Sequence, residues 1–446
     1  MQVLNRLIHQ FRRRRSTVTS LGALMGSQTL TMVLGMVGGL VQARYIGPGI
    51  FGYFGTFGIL AGYLSFLHLG SLTALQREYP YWAGKGDLER ARHTAAVTQG
   101  WILVVCSGVF LLYLVLTLVS LFSGYYPAAA CWAVQLLTSS VSFYLLYLGC
   151  TYRSTQEFTN WAKIGAFGSV LNFVLLPLVR FFGLWGLCIR SAIPALVSTV
   201  LLHRNRPVHI RPLWRPREFW ELVKFGLPMD LAGYLATSGM MAVSNTLIRG
   251  YWDAKTLGLV MFARTAESAV HQMSCTVSNV FIPRLNAQMG KTEDLRQCAR
   301  YAMKPVLAGL LMMGAAVTVA SFLCRPMVQW LTPGYIDSVP YILVLMWAGL
   351  YPIMTIPNYV LAAGKHNYST AVSFLTAFVV FVVLAGIVVL LKLSAVFIVV
   401  AYVIGKLSGT VAAGILLWWR IGHGARLLSG PAAEAPLAKE LMEGES

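Results

Sequence analysis

The stretch Phe374–Leu391, FLTAFVVFVVLAGIVVLL, runs without a charged residue, as does Cys106–Phe122, CSGVFLLYLVLTLVSLF. At 1.5 Å of rise per residue, a helix of roughly 20 apolar residues crosses the hydrocarbon core of a bilayer. Working outward from these two blocks, comparable runs lie at about 18–42, 50–70, 95–121, 127–150, 163–180 and 183–202. The second half repeats the series at about 225–248, 256–282, 302–323, 340–362, 369–391 and 394–418. Apolar residues make up 57% of the chain and charged residues 11%, against roughly 45–50% and 25% in an ordinary soluble domain. The expected fold is therefore an all-α membrane protein of about twelve transmembrane helices.

Positive charge near span ends is retained on the cytoplasmic side of a membrane. With the N-terminus inside, 26 Lys and Arg residues fall on cytoplasmic segments, six on the opposite face, and three (Arg190, Arg264, Lys406) within spans. This asymmetry supports an even span count with both termini cytoplasmic. It also accounts for most of the formal charge of +19, which in a soluble chain would point to nucleic acid; no nucleic-acid partner is expected. The basic stretches FRRRR and HRNRPVHIRPLWRPREFW read first as an orientation signal, with contact to anionic lipid heads as the alternative. The first span reads as an uncleaved anchor. The seven cysteines have no metal-ligand spacing, and no disulfide framework, metal or cofactor is expected.

The segments GKGDLERAR (Gly84 to Arg92) and GKTEDLRQCAR (Gly290 to Arg300) follow the second and eighth spans. Gly84-Lys85 aligns with Gly290-Lys291 at an offset of 206, Asp87-Leu88 with Asp294-Leu295 at 207, and Phe51-Gly52 with Leu257-Gly258 at 206. Six spans separate the copies, so the halves share an orientation and are related by a pseudo-two-fold axis along the membrane normal. The expected organisation is a basic cytoplasmic segment 1–17, an N-terminal six-helix lobe 18–202, a cytoplasmic inter-lobe linker 203–224, a C-terminal six-helix lobe 225–419 and a cytoplasmic tail 420–446.

Only two of the 16 acidic residues, Asp230 and Glu267, fall within spans. A charge in the membrane costs a few kcal/mol, about 2.5–3.5 on insertion scales, so such residues face protein or water. Arg264, Glu267, Ser268, His271, Cys275 and Ser278 recur at spacings of three and four, a polar stripe down the eighth span. Arg264 lies about 12 Å from the expected outer end, with Glu267 one turn deeper and within pairing distance. The stripe reads either as the wall of a wet cavity or as an internal pair that joins helices. Asp230, Tyr234, Thr237, Met241 and Asn245 form one broad face of the seventh span, with Arg249 at its outer end. Arg44 ends the first span in the same way, so Arg44 and Arg249 are candidates for an outer mouth or for lipid phosphate. Arg190 and Lys406 occupy corresponding helices and either line the cavity or reach the interface. No Ser, His and Asp grouping suggests catalysis, and an enzyme is not expected.

ARYIGPGIFGYFGTF (Ala43 to Phe57), LGSLTALQREYPYWAGKGDLERA (Leu69 to Ala91) and LGLVMFARTAESAV (Leu257 to Val270) resemble the polysaccharide transporter family. That family includes the O-antigen, or Wzx-type, flippases of the multidrug, oligosaccharidyl-lipid and polysaccharide flippase superfamily. The resemblance implies a two-lobed alternating-access transporter in the bacterial cytoplasmic membrane and a cationic cavity for the pyrophosphate of a lipid-linked oligosaccharide. Arg264, Arg44 and Arg249 are its implied cationic residues. The expected cargo is an undecaprenyl-pyrophosphate-linked oligosaccharide, with membrane lipids and polysaccharide polymerase or export proteins as neighbours. Glu267, Asp230 and His271 are candidate proton or cation couplers. The competing expectations are a cation-coupled multidrug exporter of the same superfamily, a membrane glycosyltransferase, polymerase or ligase, and a non-transporting scaffold.

Overall fold

A computed structural model describes residues 26–155, 157–292, 294–364 and 366–427. The basic segment 1–17, the tail beyond 427 and Lys365 lie outside the described residues. The described secondary structure is entirely helical. The first half comprises α1 (26–45), α2 (Pro48–Leu64), α3 (Ser71–Gly84), α4 (Leu88–Phe122), α5 (Tyr126–Ser154), α6 (Phe158–Val174), α7 (Leu176–Phe182) and α8 (Leu184–Arg204). The second half comprises α9 (Pro216–Tyr234), α10 (Met240–Tyr251), α11 (Ala254–Thr292), α12 (Leu295–Leu331), α13 (Val339–Ala348), α14 (Tyr351–Met354), α15 (Ile356–Ala363), α16 (Asn367–Leu390) and α17 (Ala395–Leu427).

Nine described helical segments are long and apolar enough to cross a membrane, and the protein is a multi-pass membrane protein. Helices also occupy the other expected spans, at 26–45, 216–251 and 254–292. Of these, α9 opens with charged residues and α11 carries the polar stripe. Large apolar side chains on α4, α12 and α16, such as Phe122, Leu311, Phe322 and Val383, are exposed, as a lipid-facing surface requires. Each half supplies most of one core, and Ala43, Leu40 and Phe51 of the first half join that of the second. Leu72, Tyr79, Ile102, Tyr113, Tyr147 and Leu202 pack in the first, and Met240, Leu257, Leu345, Phe381 and Tyr402 in the second.

The repeated segments have a local cause. Asp87 accepts a hydrogen bond from the Arg90 amide at 2.9 Å and caps α4, while Asp294 accepts from the Arg296 amide at 2.8 Å and caps α12. A carboxylate at this place satisfies an otherwise unpaired amide and opposes the helix dipole. One helix differs from the sequence reading, which left Ser71–Gly84 between spans. Its buried residues Ser71, Leu72, Leu75 and Tyr79 fall on one face and pack into the first lobe, which makes α3 a helix in its own right.

The segment expected as a linker at 203–224 is extended only after Arg204 and is helical again from Pro216. The Leu213 amide donates to the Ala96 carbonyl at 3.0 Å, and Trp101 stacks on Trp214 and Phe219. Gly100 permits that approach, because a Cβ there would lie 2.2 Å from the Leu213 carbonyl oxygen.

The halves meet where α2 crosses α11. A Cβ on Gly52 would lie 1.6 Å from the Ala254 carbonyl oxygen, and one on Gly258 would lie 1.9 Å from that of Pro48. These two glycines are the repeat-related pair at offset 206, and backbone-to-backbone packing of this kind is what small residues allow in membranes. At the other end of α2, Gly70, at φ +75°, is in similar reciprocal contact with Gly226 of α9.

Gly52→Ala and Gly258→Ala are each expected to destabilise the protein by about 1–3 kcal/mol or more through overpacking. Gly49→Ala, where a Cβ meets open space, should leave thermal unfolding in detergent unchanged. Asp253 caps α11, accepting from the Thr256 amide at 2.6 Å. Hydrogen bonds from the Thr256 side chain and backbone hold its carboxyl below the ordinary range. Its contribution is therefore present above the unfolded pKa and lost as pH falls through the lowered folded value. Asp253→Ala should cost about 1 kcal/mol at neutral pH and remove that part of the acid dependence in a pH-resolved unfolding series.

Candidate functional site

The eighth span, α11, presents Arg264 and Glu267 three residues apart, and the fold brings α17 against them. Glu267 Oε2 accepts from Arg264 Nη1 at 3.3 Å, while Oε1 accepts from Lys406 Nζ at 3.1 Å and from the Tyr402 hydroxyl at 3.2 Å. All three charged side chains are almost wholly withdrawn from solvent, at 11%, 9% and 6% exposure for Arg264, Glu267 and Lys406. The Lys406 ammonium also lies 4.4 Å from the Tyr402 ring centre and 5.2 Å from that of Tyr351, and the Arg264 guanidinium lies 4.9 Å from Tyr402. Arg264 Nη2 reaches the Ser244 hydroxyl at 3.4 Å. Two cations share one carboxylate, which leaves the cluster with one unit of positive charge. Among the described residues, Arg264 Nε, Asn245 Oδ1 and the Ser274 and Tyr351 hydroxyls are buried with no hydrogen-bond partner.

The remaining stripe divides. Ser278 is buried and donates to the Pro352 carbonyl at 2.9 Å, His271 and Cys275 are half-buried, and Ser268 is exposed. The stripe is therefore not one continuous wall: Glu267 and Ser278 point into the second lobe, away from Ser268.

The polar face of the seventh span turns toward the first lobe. Asp230 Oδ1 accepts from the Thr73 hydroxyl at 2.8 Å, and Oδ2 lies 3.2 Å from His68 Nδ1. That same nitrogen is 3.3 Å from the Gly70 amide, so it donates to Asp230 where Nδ1 carries the hydrogen and accepts from Gly70 where it does not. Tyr234 donates to the carbonyls of Gly62 and Tyr63, the Tyr63 and Thr246 hydroxyls lie 2.8 Å apart, and Arg249 Nε donates to the Thr56 hydroxyl at 3.1 Å. Asp230 and Arg249 thus sit in the seam between the halves.

Arg190 and Lys406 are not brought together. Arg190 is buried in the first lobe and donates to Gln42 Oε1 and to the carbonyl and Oδ1 of Asn172, at 3.0 and 2.7 Å for the latter two. Its described hydrogen-bond partners are neutral. Asn172 also lines a cavity of about 360 Å³ with Thr31, Ser169 and Ser198. Arg44 is exposed at the end of α1, whereas Arg249 is turned to the Thr56 hydroxyl of α2.

A family model described as polysaccharide biosynthesis protein matches residues 88–308. The fold is that of an inward-facing multidrug-resistance MATE transporter of the MOP superfamily, with TM-score 0.68, 14% identity, and 92% of this chain and 100% of that one covered. Over residues 88–308 the chain is similar to this polysaccharide biosynthesis family. The lipid II flippase MurJ in an inward closed conformation superposes with TM-score 0.62 at 13% identity, covering 89% of this chain and 87% of that one. A MOP-superfamily transporter from Pyrococcus furiosus, described by the reverse polarity of its binding pocket, gives 0.62 at 16% identity, covering 91% and 96%. No curated protein sequence matches the chain significantly.

Within this transporter fold, the sequence reading identified three charged members of the cluster but missed Tyr402, Tyr351 and Ser244. Tyr402 stands four residues before Lys406, on the same face of α17, and that spacing was an available signal. Nothing local marked Ser244 or Tyr351. Glu267→Gln should cost about 3–5 kcal/mol, because it strands two buried cations. Adding Lys406→Met to Glu267→Gln should recover part of that loss, giving a favourable coupling in a double-mutant cycle of thermal unfolding.

Proposed function

We propose that the protein is a flippase that translocates an undecaprenyl-pyrophosphate-linked oligosaccharide across the bacterial cytoplasmic membrane, for polysaccharide biosynthesis, by alternating access. The observation that carries this reading is the buried cluster of Arg264, Lys406 and Glu267, with its surplus positive charge and the unpartnered Arg264 Nε. An anionic head group supplies the missing charge and acceptors. A guanidinium suits phosphate in particular, because its donors form a planar fork. The polyprenyl tail stays in lipid while the sugars and pyrophosphate avoid the cost of entering hydrocarbon. Arg264 is the substrate-facing residue in this scheme. Glu267 and Lys406 hold it in place from behind, and Asp230 and Arg249 belong to the seam that parts as the lobes rock. Arg190, with Gln42 and Asn172, is a second buried positive centre in the first lobe, and Arg44 is available to phosphate at the end of α1.

The family description favours a polysaccharide precursor as cargo. The fold likeness to multidrug transporters favours the second reading, a cation-coupled exporter of drugs. The sign of the cluster speaks against it, since a surplus positive charge repels organic cations.

The deciding experiment is complementation in cells that lack the gene, with surface polysaccharide and protein abundance measured together. Losing a charge-assisted hydrogen bond of about 1.5–3 kcal/mol corresponds to roughly ten- to a hundredfold weaker binding, so Arg264→Ala should sharply reduce surface polysaccharide at normal abundance. Arg264→Lys should retain part of it. Unchanged polysaccharide in Arg264→Ala would sink the reading.

A further inference from the structure

A buried carboxylate in a transporter needs a positive partner. Where a cation gradient drives the cycle, that partner must arrive from water and return to it. Carboxylate and hydroxyl oxygens are the ligands a hard cation takes, and Glu267 Oε1 beside the Tyr402 hydroxyl offers two of them. The place is already filled. The Lys406 ammonium, a compact point charge, lies 3.1 Å from Oε1 on a side chain that is 6% exposed. The rings of Tyr402 and Tyr351 cover its other sides, and α17 carries it covalently, so it cannot exchange.

The second carboxylate oxygen faces Arg264 at 3.3 Å. A further monovalent ion at Glu267 would therefore stand within a few ångströms of two fixed cations. Like charges at such a distance repel strongly even at the effective dielectric of a protein. One carboxylate, already shared by two cations, cannot offset a third. His271, the remaining titratable side chain of this stretch of α11, supplies no negative charge.

We propose that Lys406 is a built-in counter-cation that takes the place of an exchangeable alkali-metal ion at Glu267, so that transport uses no sodium or potassium ion at this carboxylate. Lys406 is a positioning residue in this account: it keeps Glu267 ionised and leaves the Arg264 charge free for cargo. The inference rests on the transporter reading of the chain and not on the identity of the cargo.

The test follows thermal unfolding of the full chain in detergent, with sodium, potassium or methylammonium chloride against N-methylglucamine chloride at matched ionic strength. Wild type should show the same Tm in all four, because a ligand that binds the folded state raises Tm by mass action. Lys406→Ala opens the ammonium's place, so its Tm should fall and then rise selectively with sodium or methylammonium. The double variant Lys406→Ala with Glu267→Gln should lose that selective rise. Rescue by methylammonium alone would show only that the ammonium's place is open, and absence of any sodium response in Lys406→Ala would overturn the proposal.

Sodium-specific or potassium-specific stabilisation of wild type would overturn the proposal, and this arm needs no variant to fold. Equal responses of the single and double variants would overturn it too. Neither result bears on the cargo, which stands or falls with the surface-polysaccharide phenotype of Arg264→Ala.

Discussion

A carboxylate removed from water must keep a cation beside it, and in this protein the arrangement of the second lobe follows from how Glu267 meets that demand. Its two oxygens collect Arg264 from the same helix and Lys406 and Tyr402 from α17. α14 adds the Tyr351 ring over the ammonium. Removing the carboxylate would leave two like charges with no counter-charge in a medium that solvates neither. The pairing therefore fixes the register of α17 against α11. The same arithmetic leaves the cluster with a surplus positive charge, the feature on which the proposal of an anionic cargo rests.

A second constraint governs how the halves meet. In lipid no hydrophobic force drives two helices together, and close approach depends on small residues. Gly52 and Gly258, equivalent positions of the two halves, supply it at the crossing of α2 and α11, and Gly70 and Gly226 supply it at the far end of α2. Around these bare contacts, side-chain bonds such as Thr73 to Asp230, Arg249 to Thr56 and Tyr63 to Thr246 also cross the seam, and these side chains are only partly buried or exposed. A seam of this kind holds a defined geometry yet can part without stranding many buried polar groups. The alternating-access cycle proposed above would need that combination.

Much of the fold was legible in the sequence because its signals are local. Long apolar runs, the Lys and Arg asymmetry and the repeated Gly-Lys and Asp-Leu pairs each depend only on neighbouring residues, and the Asp pairs proved to be helix caps. α3 was missed because its buried face is short and mixed in polarity, and only packing within the first lobe reveals it. The stripe on α11 reads as one face, but three-and-four spacing does not say which of two neighbouring faces each residue takes, and Glu267 is buried where the adjacent Ser268 is exposed. Asp230 was read as a cavity candidate on the strength of its cost in hydrocarbon. That cost is offset by Thr73 and His68 of the other half.

Composition and pattern along the chain already mark a helical membrane protein with a duplicated plan and require a partner for any charge within its spans. Hydropathy and charge asymmetry act along the chain and need no knowledge of what lies across it. Only the tertiary structure decided who those partners are. Lys406 lies 139 residues from Glu267 and Asp230 lies 157 from Thr73, while Arg190 and Lys406, matched by position, are held in separate lobes. Electrostatic pairing is settled by distance in space, and no local pattern encodes which helix will stand within about 3 Å of a buried oxygen.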